Sequence, residues 1–449
     1  MEALQDHELL TQVGPGTMMG RMMREYWIPA CGSAELAADG PPLRLVLLGE
    51  KLIAFRDSGG RVGVLDHRCP HRCASLFLGR NEANGLRCAY HGWKFDVAGN
   101  CLDMPNVPPR HSFAAKVRAK AYQTIERNGI VWTYMGERAE APPLPALEPL
   151  LLPETEMRVA FVQRECNWVQ ALEGDIDTSH FGFLHDGMAK AGDFPPDSIR
   201  HFMLADRAPD YHMADMDWGM MYAAYRPAGP SHLYYRIAHF LFPFWTMIPA
   251  FSFGHHIVMR GWVPMDDTHT MFMHFSWKGN GAPLPMRNDG GSNTASSFDY
   301  RYQPNTTDWY GRWRLIATQK DDWGIDRELQ RRSSFTGITG IHLQDQAVTE
   351  SMGPIVDRSW EHLTISDLMI TRTRRRLLRA ARDLADAGVT PPGVDDPEIC
   401  LGAHSGDYVA PASLPWQRAY ANELKAAANP TGALRIPALL DQDETVNQI

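Results

Sequence analysis

The chain has 449 residues, 44% hydrophobic and 22% charged, enough to bury more than one core without disulfides. Lys and Arg number 44 against 53 Asp and Glu, and the net charge of −9 argues against a nucleic-acid binder, which needs a basic footprint. Seven cysteines are too sparse and odd a set for a secreted disulfide scaffold, so their spacing is read for metal chemistry.

The opening residues carry Glu2, Asp6 and Glu8 and lack the basic end and apolar run of an export signal. Leu43–Leu48 and Lys51–Phe55 flank Gly49-Glu50, a hairpin signal, and Ser58-Gly59-Gly60 turns into a strand at Arg61–Leu65. With the β-branched and aromatic run Ile130–Tyr134, these predict a small antiparallel β domain over residues 25–140. Pro142, Pro143, Pro145, Pro149 and Pro153 then make an extended connector. The second domain, residues 155–449, mixes types: a strand at Met157–Cys166, a helix over Trp168–Leu184, and strands at Leu233–Leu241, Gly254–Trp262 and Thr270–Trp277. Residues 279–307 read as a long loop or lid. The pattern is helical from Ile341, and Ile365–Ala387 has an Arg-rich face with Arg372, Arg374, Arg375, Arg376 and Arg379. That face is a solvated surface or, as a second reading, a dock for an acidic reductase. The most apolar stretch, Phe240–Phe251, is broken by Pro243 and Pro249 and falls short of the ~20 residues that span a bilayer. An α+β, cytoplasmic protein free of the membrane is expected.

Two constellations carry chemistry. The first is Cys69-Pro-His71, then, after sixteen residues, Cys88-Ala-Tyr-His91. Structural zinc sites more often offer C-x-x-C on one arm and two His on the other. Two arms that each hold one Cys and one His suit a Rieske [2Fe–2S] cluster, with two thiolates on one iron and two imidazoles on the other. Pro70 and Gly92 bend the loops, while Tyr90 and Trp93 can shield the site. Cys73, Cys31, Cys101, Cys166 and Cys400 read as packing.

The second is Asp175-Ile-Asp177-Thr-Ser-His180-Phe-Gly182-Phe-Leu-His185. Asp177 and His180 share a helix face, but His180 and His185 lie ~140° apart on a regular helix. Convergence needs a break, and Gly182 is the natural place for one. Two imidazoles and one carboxylate make the facial triad of non-haem Fe(II) sites. The carboxylate is open among Asp175, Asp177, Asp345 and Glu350, the last two on the helical run from Ile341.

Together these motifs resemble the Rieske non-haem iron aromatic-ring oxygenases, specifically α subunits of the phthalate dioxygenase-like group. The resemblance runs over residues 8–385 and includes Arg24–Ala30, Ala171–His180 and Gln344–Pro354. It implies that Asp345 is the third iron ligand and that residues 1–24 pack against a helix-grip (START-like) catalytic domain with a twisted antiparallel sheet. It also implies a homotrimer or stacked trimers, in which Asp177 bridges His180 of one subunit and His91 of the next. A separate NAD(P)H-dependent reductase, with flavin and a plant-type [2Fe–2S] centre, would feed the cluster, and O2 would be the co-substrate.

The expected substrate is a small aromatic carboxylate of phthalate type, hydroxylated or cis-dihydroxylated. Phe240, Phe242, Phe244, Trp245, Ile248 and Phe251 are candidate pocket wall, although core strand explains most such residues. Arg207 and Arg236 are candidate carboxylate grips. The other readings are an O-demethylase of methoxylated aromatic acids, an electron-transfer Rieske protein without oxygenase activity, and a zinc-binding interaction protein.

Overall fold

The computed structural model describes residues 2–249, 256–279 and 300–437. The lid reading for 279–307 rests mostly on residues 280–299, which lie outside the described residues, as does Phe251.

Two short helices, α1 (Glu2–Thr11) and α2 (Met18–Arg24), lead into ten strands. These are β1 (Trp27–Gly32), β2 (Leu43–Leu47), β3 (Glu50–Arg56), β4 (Val62–Asp66), β5 (Arg80–Glu82), β6 (Gly85–Arg87), β7 (Lys94–Phe95), β8 (Cys101–Asp103), β9 (Ala121–Arg127) and β10 (Ile130–Tyr134). They form a six-stranded sheet in the order β1-β10-β9-β4-β3-β2 and a small sheet β5-β6-β7-β8. The β2–β3 hairpin turns at Leu48-Gly49, one residue earlier than expected, with φ of 47° and 76°. A leucine tolerates that left-handed backbone because the hairpin tip docks: Leu48 is fully buried, its N–H donates to the Pro264 carbonyl (3.2 Å), and Gly49 N–H donates to Met265 (2.8 Å).

The rest of the chain supplies α3 (Trp168–Asp175), α4 (Phe181–Leu184), α5 (Ile199–Ala205), α6 (Arg327–Arg332), α7 (Ile341–Ser351), α8 (Leu368–Ala387) and α9 (Trp416–Ala426). Its strands are β11 (Met157–Arg164), β12 (Asp210–Met216), β13 (Gly219–Pro227), β14 (His232–Leu241), β15 (Trp245–Met247), β16 (Val258–Pro264), β17 (Thr270–Trp277) and β18 (Gly406–Pro411). They build an eight-stranded antiparallel sheet ordered β11-β17-β16-β15-β14-β13-β12. β18 returns from far along the chain to share one edge of β14 with β15, pairing 406–411 with 232–237.

One hydrophobic core runs through both large sheets, with Trp132 of β10 against Trp245 of β15 at 6.0 Å between rings. A second, smaller core gathers Cys69, Cys88, Trp93 and Phe95 under the small sheet. The N-terminal segment is tied to the second half: Asp6 pairs with Arg382, and the Asn167 side chain donates to the carbonyls of Thr11 (2.9 Å) and Asp267 (2.7 Å). No helix among the described residues is long and apolar enough to cross a membrane.

The expected pocket-wall aromatics are core instead. Phe240, Phe242, Phe244 and Trp245 are buried in the shared hydrophobic cluster, Trp245 facing the first sheet and Phe242 lying under Arg376 of α8. Part of the Arg-rich face of α8 is spent on internal partners: Arg374 grips Glu173 and Glu361, Arg376 faces Asp215, and Arg382 pairs with Asp6. Arg375 and Arg379 stay exposed, Arg379 beside Asp383 of the same helix.

Candidate active site

The predicted single helix Trp168–Leu184 is two helices. α3 stops at Asp175 because Asp177 Oδ1 accepts from Ser179 N–H (2.6 Å) and the Ser179 hydroxyl (2.7 Å), a local turn that competes with the helical ladder. The break therefore precedes His180, and Gly182 is not the hinge. It sits inside α4, where a Cβ would come within 3.3 Å of the Arg207 stem. His180 and His185 flank this one-turn helix, and their Nε2 atoms converge to 3.2 Å.

α7 completes the group. Asp345 Oδ1 lies 3.2 Å from His185 Nε2 and 3.7 Å from His180 Nε2. Donors on adjacent corners of an ion with bonds of ~2.1 Å sit ~3 Å apart, so these three atoms fit one divalent cation and leave further corners open. The outer nitrogens are fixed. Gln344 donates its amide to the Ile338 carbonyl (2.8 Å), so its Oε1 accepts from His185 Nδ1 (2.7 Å), while Asp177 Oδ2 faces His180 Nδ1 at 3.3 Å. Each imidazole thus keeps a bare Nε2 lone pair turned inward. Two bare lone pairs at that distance repel unless a cation lies between them.

Electrostatics agree. Burial pushes the Asp345 carboxyl up, but His185, His180 and Arg164 together hold it well below the usual carboxylate range. Burial is likewise overcome at Asp177, which His180 and Ser179 hold low, and at His180, which Asp177 and Asp345 raise. The other candidate carboxylates are spent elsewhere. Glu350 accepts from Glu165 N–H (2.9 Å) and Trp323 Nε1 (2.6 Å), and Asp175 is held by Arg260, Thr246 and Trp262.

A cleft of about 200 Å³ opens beside Asp177, His180 and Asp345, lined further by Val348, Met352, Leu363 and Ile370. A larger cavity of about 520 Å³ lies beside β4 and β9, between Arg61, Arg118 and Glu126, and neither metal-donor set lines it.

The other donor set sits at the tip of the small sheet. Cys69 and Cys88 are buried, and burial with the neighbouring Cys88 thiol pushes the Cys69 thiol up. The His71 and His91 rings are 4.5 Å apart, His71 stacks on Trp93 at 4.4 Å, and His91 Nδ1 is buried with no partner among the described residues. Two buried thiols facing each other and an orphaned imidazole nitrogen fit a bound cluster. Gly92, at φ +75°, is required there, since a Cβ would meet Pro105 at 2.6 Å. Cys73, read as packing, is instead exposed at φ +59°, because its N–H closes the loop onto the Cys69 carbonyl (2.9 Å).

Arg236 is buried on β14, its guanidinium 5.1 Å from the Phe181 ring, which in turn packs on His185 at 5.3 Å. Arg207 is placed differently: it donates to the Ala189 carbonyl (2.9 Å) and covers the half-exposed Phe183. Sequence reasoning missed the orienting role of Gln344, whose only signal was its place beside Asp345. It also missed Arg226 and Asp407, which reach the Arg236 neighbourhood through strand pairing.

The fold and site define a two-metal oxygenase. The chain matches the Rieske [2Fe-2S] domain over residues 26–122 and the LigXa C-terminal domain like family over residues 133–434. It belongs to the Rieske non-haem iron oxygenases as a terminal oxygenase α subunit, which brings a [2Fe–2S] cluster, a mononuclear iron and the use of O2. The 3-chlorobenzoate-3,4-dioxygenase oxygenase subunit of Comamonas testosteroni is 50% identical over 429 residues, 95% of this chain and 99% of its own. The phthalate 4,5-dioxygenase oxygenase subunit of Pseudomonas putida is 37% identical over 395 residues, 84% of this chain and 85% of its own. Among solved structures, dicamba monooxygenase bound to 3,6-dichlorosalicylic acid shares the fold, with a TM-score of 0.54 at 16% identity, covering 81% of this chain and 99% of the other.

Proposed function

We propose that this subunit hydroxylates, by cis-dihydroxylation, a small aromatic carboxylate. His180, His185 and Asp345 hold the mononuclear iron, and Cys69, His71, Cys88 and His91 hold the cluster. The observation that carries the substrate class is Arg236, a buried guanidinium without an ion pair among the described residues, one aromatic ring away from His185. Relatives named for chlorobenzoate and phthalate support the same class.

Bound in these two sets, the iron supplies O2 activation and the cluster supplies single electrons. The protein's own groups do the rest. Arg236 orients the carboxylate so that the ring faces the open corners of the iron site, and the Phe181 ring between them excludes water. Asp177 and Gln344 hold the two ligating imidazoles in the tautomer that presents Nε2.

Among the described residues the hydrogen bonds of Asp177 are local, to Ser179 and His180, and in this reading it meets His91 of a second copy of the chain. A trimer or stacked trimers, cytoplasmic and served by a flavin and plant-type [2Fe–2S] reductase using NAD(P)H, completes the reading.

The test is O2 uptake with a compatible reductase over carboxylated, methoxylated and neutral aromatics, with product identification. Uptake coupled to a dihydroxylated acid is expected, and Arg236→Met should raise KM about tenfold or more with iron content unchanged. Formaldehyde release from methoxylated acids would make the subunit an O-demethylase, and uptake with neutral aromatics alone would remove the carboxylate reading.

A further inference from the structure

The surroundings of Arg236 hold a charge count. Arg226 of β13 stands on the same sheet face, since Arg226 pairs with Tyr234 and Ala224 pairs with Arg236 in the strand register. The two arginines are 3% and 7% exposed. Arg226 Nη1 and Arg236 Nε are buried donors with no acceptor among the described residues. Arg226 gives its Nε to the Asp206 backbone carbonyl (2.6 Å), and Arg236 Nη1 abuts the Met203 thioether, a weak acceptor. A buried donor left unmade is costly, so these two donor atoms are poised for an acceptor that the described residues do not provide, even with the Tyr234 hydroxyl beside Arg236.

One carboxylate shares this space. Asp407 of β18 is the direct cross-strand partner of Arg236 and is 1% exposed. Its Oδ2 accepts from the Tyr234 hydroxyl at 3.0 Å, and its Oδ1 has no side-chain donor among the described residues. Of the other nearby charges, Arg200 closes on Asp186, and Asp206, which still pulls on Arg226, is only half-buried and is screened by solvent. Among the fully buried groups two cations stand against one anion, a surplus of one positive charge.

We propose that Arg226, Arg236 and Asp407 form a charge-matched subsite for an aromatic monocarboxylate, with Asp407 the residue that discriminates against dicarboxylates. This rests on the reading of the protein as an aromatic-carboxylate oxygenase. A monoanion bound between the guanidinium groups brings the buried charge to zero. A dianion overshoots it and leaves an uncompensated negative charge in low dielectric. Asp407 works at a distance from the iron donors, so it sets which acid enters rather than how O2 is used. Burial pushes its carboxyl up to about 6 against the pull of Arg236 and Tyr234, the groups that face it, so it is ionised at pH 7.5.

The test is anaerobic calorimetric titration of the iron- and cluster-loaded oxygenase with benzoate, phthalate and isophthalate at pH 7.5. Wild type should bind benzoate about tenfold or more tighter than either dicarboxylate, and Asp407→Asn should shrink that ratio about tenfold as the dicarboxylates gain. Arg226→Gln removes the surplus charge and should weaken benzoate about tenfold, and the Arg226→Gln/Asp407→Asn double variant, back at a surplus of one, should recover the monocarboxylate preference. A ratio unchanged by Asp407→Asn, or wild type that binds phthalate as tightly as benzoate, overturns the proposal. Should Asp407→Asn fail to fold, the wild-type ratio and Arg226→Gln decide alone. Loss of benzoate binding in Arg236→Met with no effect of the other variants would sink the charge count and leave the carboxylate reading standing. Wild type that binds neutral aromatics and no acid would sink both.

Discussion

Asp177 divides its carboxylate between a turn and an imidazole: Oδ1 takes both Ser179 donors, and Oδ2 faces His180 Nδ1. Replacing it by Asn keeps the shape and removes the charge. Asp177→Asn should retain cluster and iron by EPR and metal analysis while turnover falls at least ~100-fold. Near-normal turnover would end its proposed role. Gln344 acts on the other imidazole, and Gln344→Leu leaves His185 Nδ1 without an acceptor. Iron affinity should then fall about 10–100-fold, with the cluster spectrum intact. The difference between these residues shows what a sequence discloses. The spacing of Cys69, His71, Cys88 and His91 is local and can be read from the chain, and the structure brings the His pair to 4.5 Å. The role of Gln344 depends on which side of α7 meets His185, a relation across 159 positions that no local spacing encodes.

Among elements, the N-cap of α3 does more than start a helix. Asn167 Oδ1 accepts from Val169 N–H (3.1 Å), while its amide donates to the carbonyls of Thr11 and Asp267, all buried or nearly so. One side chain thus ties together the N-terminal helix, the β16–β17 turn and α3, the helix that leads into the Asp177 turn. Asn167→Ala removes the cap and strands two carbonyls, and should cost about 2–4 kcal/mol in chemical denaturation. A loss below ~0.5 kcal/mol, the range of ordinary surface changes, would show that water replaces it. The long strands of the second sheet were legible because aromatic and β-branched runs between turns have few other solutions. The split of Trp168–Leu184 was not, because the competing signal, an Asp-x-Ser turn, is three residues long inside a run with few breakers. Strand β18 was invisible for a different reason: six residues near the C-terminal end acquire meaning only when they pair with β14, and that pairing puts Asp407 across from Arg236.

For the whole molecule, the Asp177 side of the iron site is a cleft edged by exposed apolar residues, with Val348 on α7, Met352 capping it and Leu363 just before α8. The tip that carries His71 and His91 exposes Tyr90 and Phe113. If a second copy brings its tip to that cleft, the two defects of a mixed oligomer are separable. Coexpression of a Cys88→Ser chain with a His185→Ala chain should restore measurable turnover, since some neighbours then pair an intact cluster with an intact iron site. Each variant alone should be inactive. Absence of any complementation in verified mixed oligomers would place the electron path within one chain.

The proline connector 142–153 looks like a seam where one half of the protein ends and another begins. The packing of Trp132 against Trp245 says otherwise, because the core that supports the electron-carrying half is finished by side chains of the half that holds the iron. Recombination between relatives at the connector would therefore join mismatched halves of a single interior. Chimeras that exchange the redox half should misfold unless the facing layer of β15 and β16 travels with it.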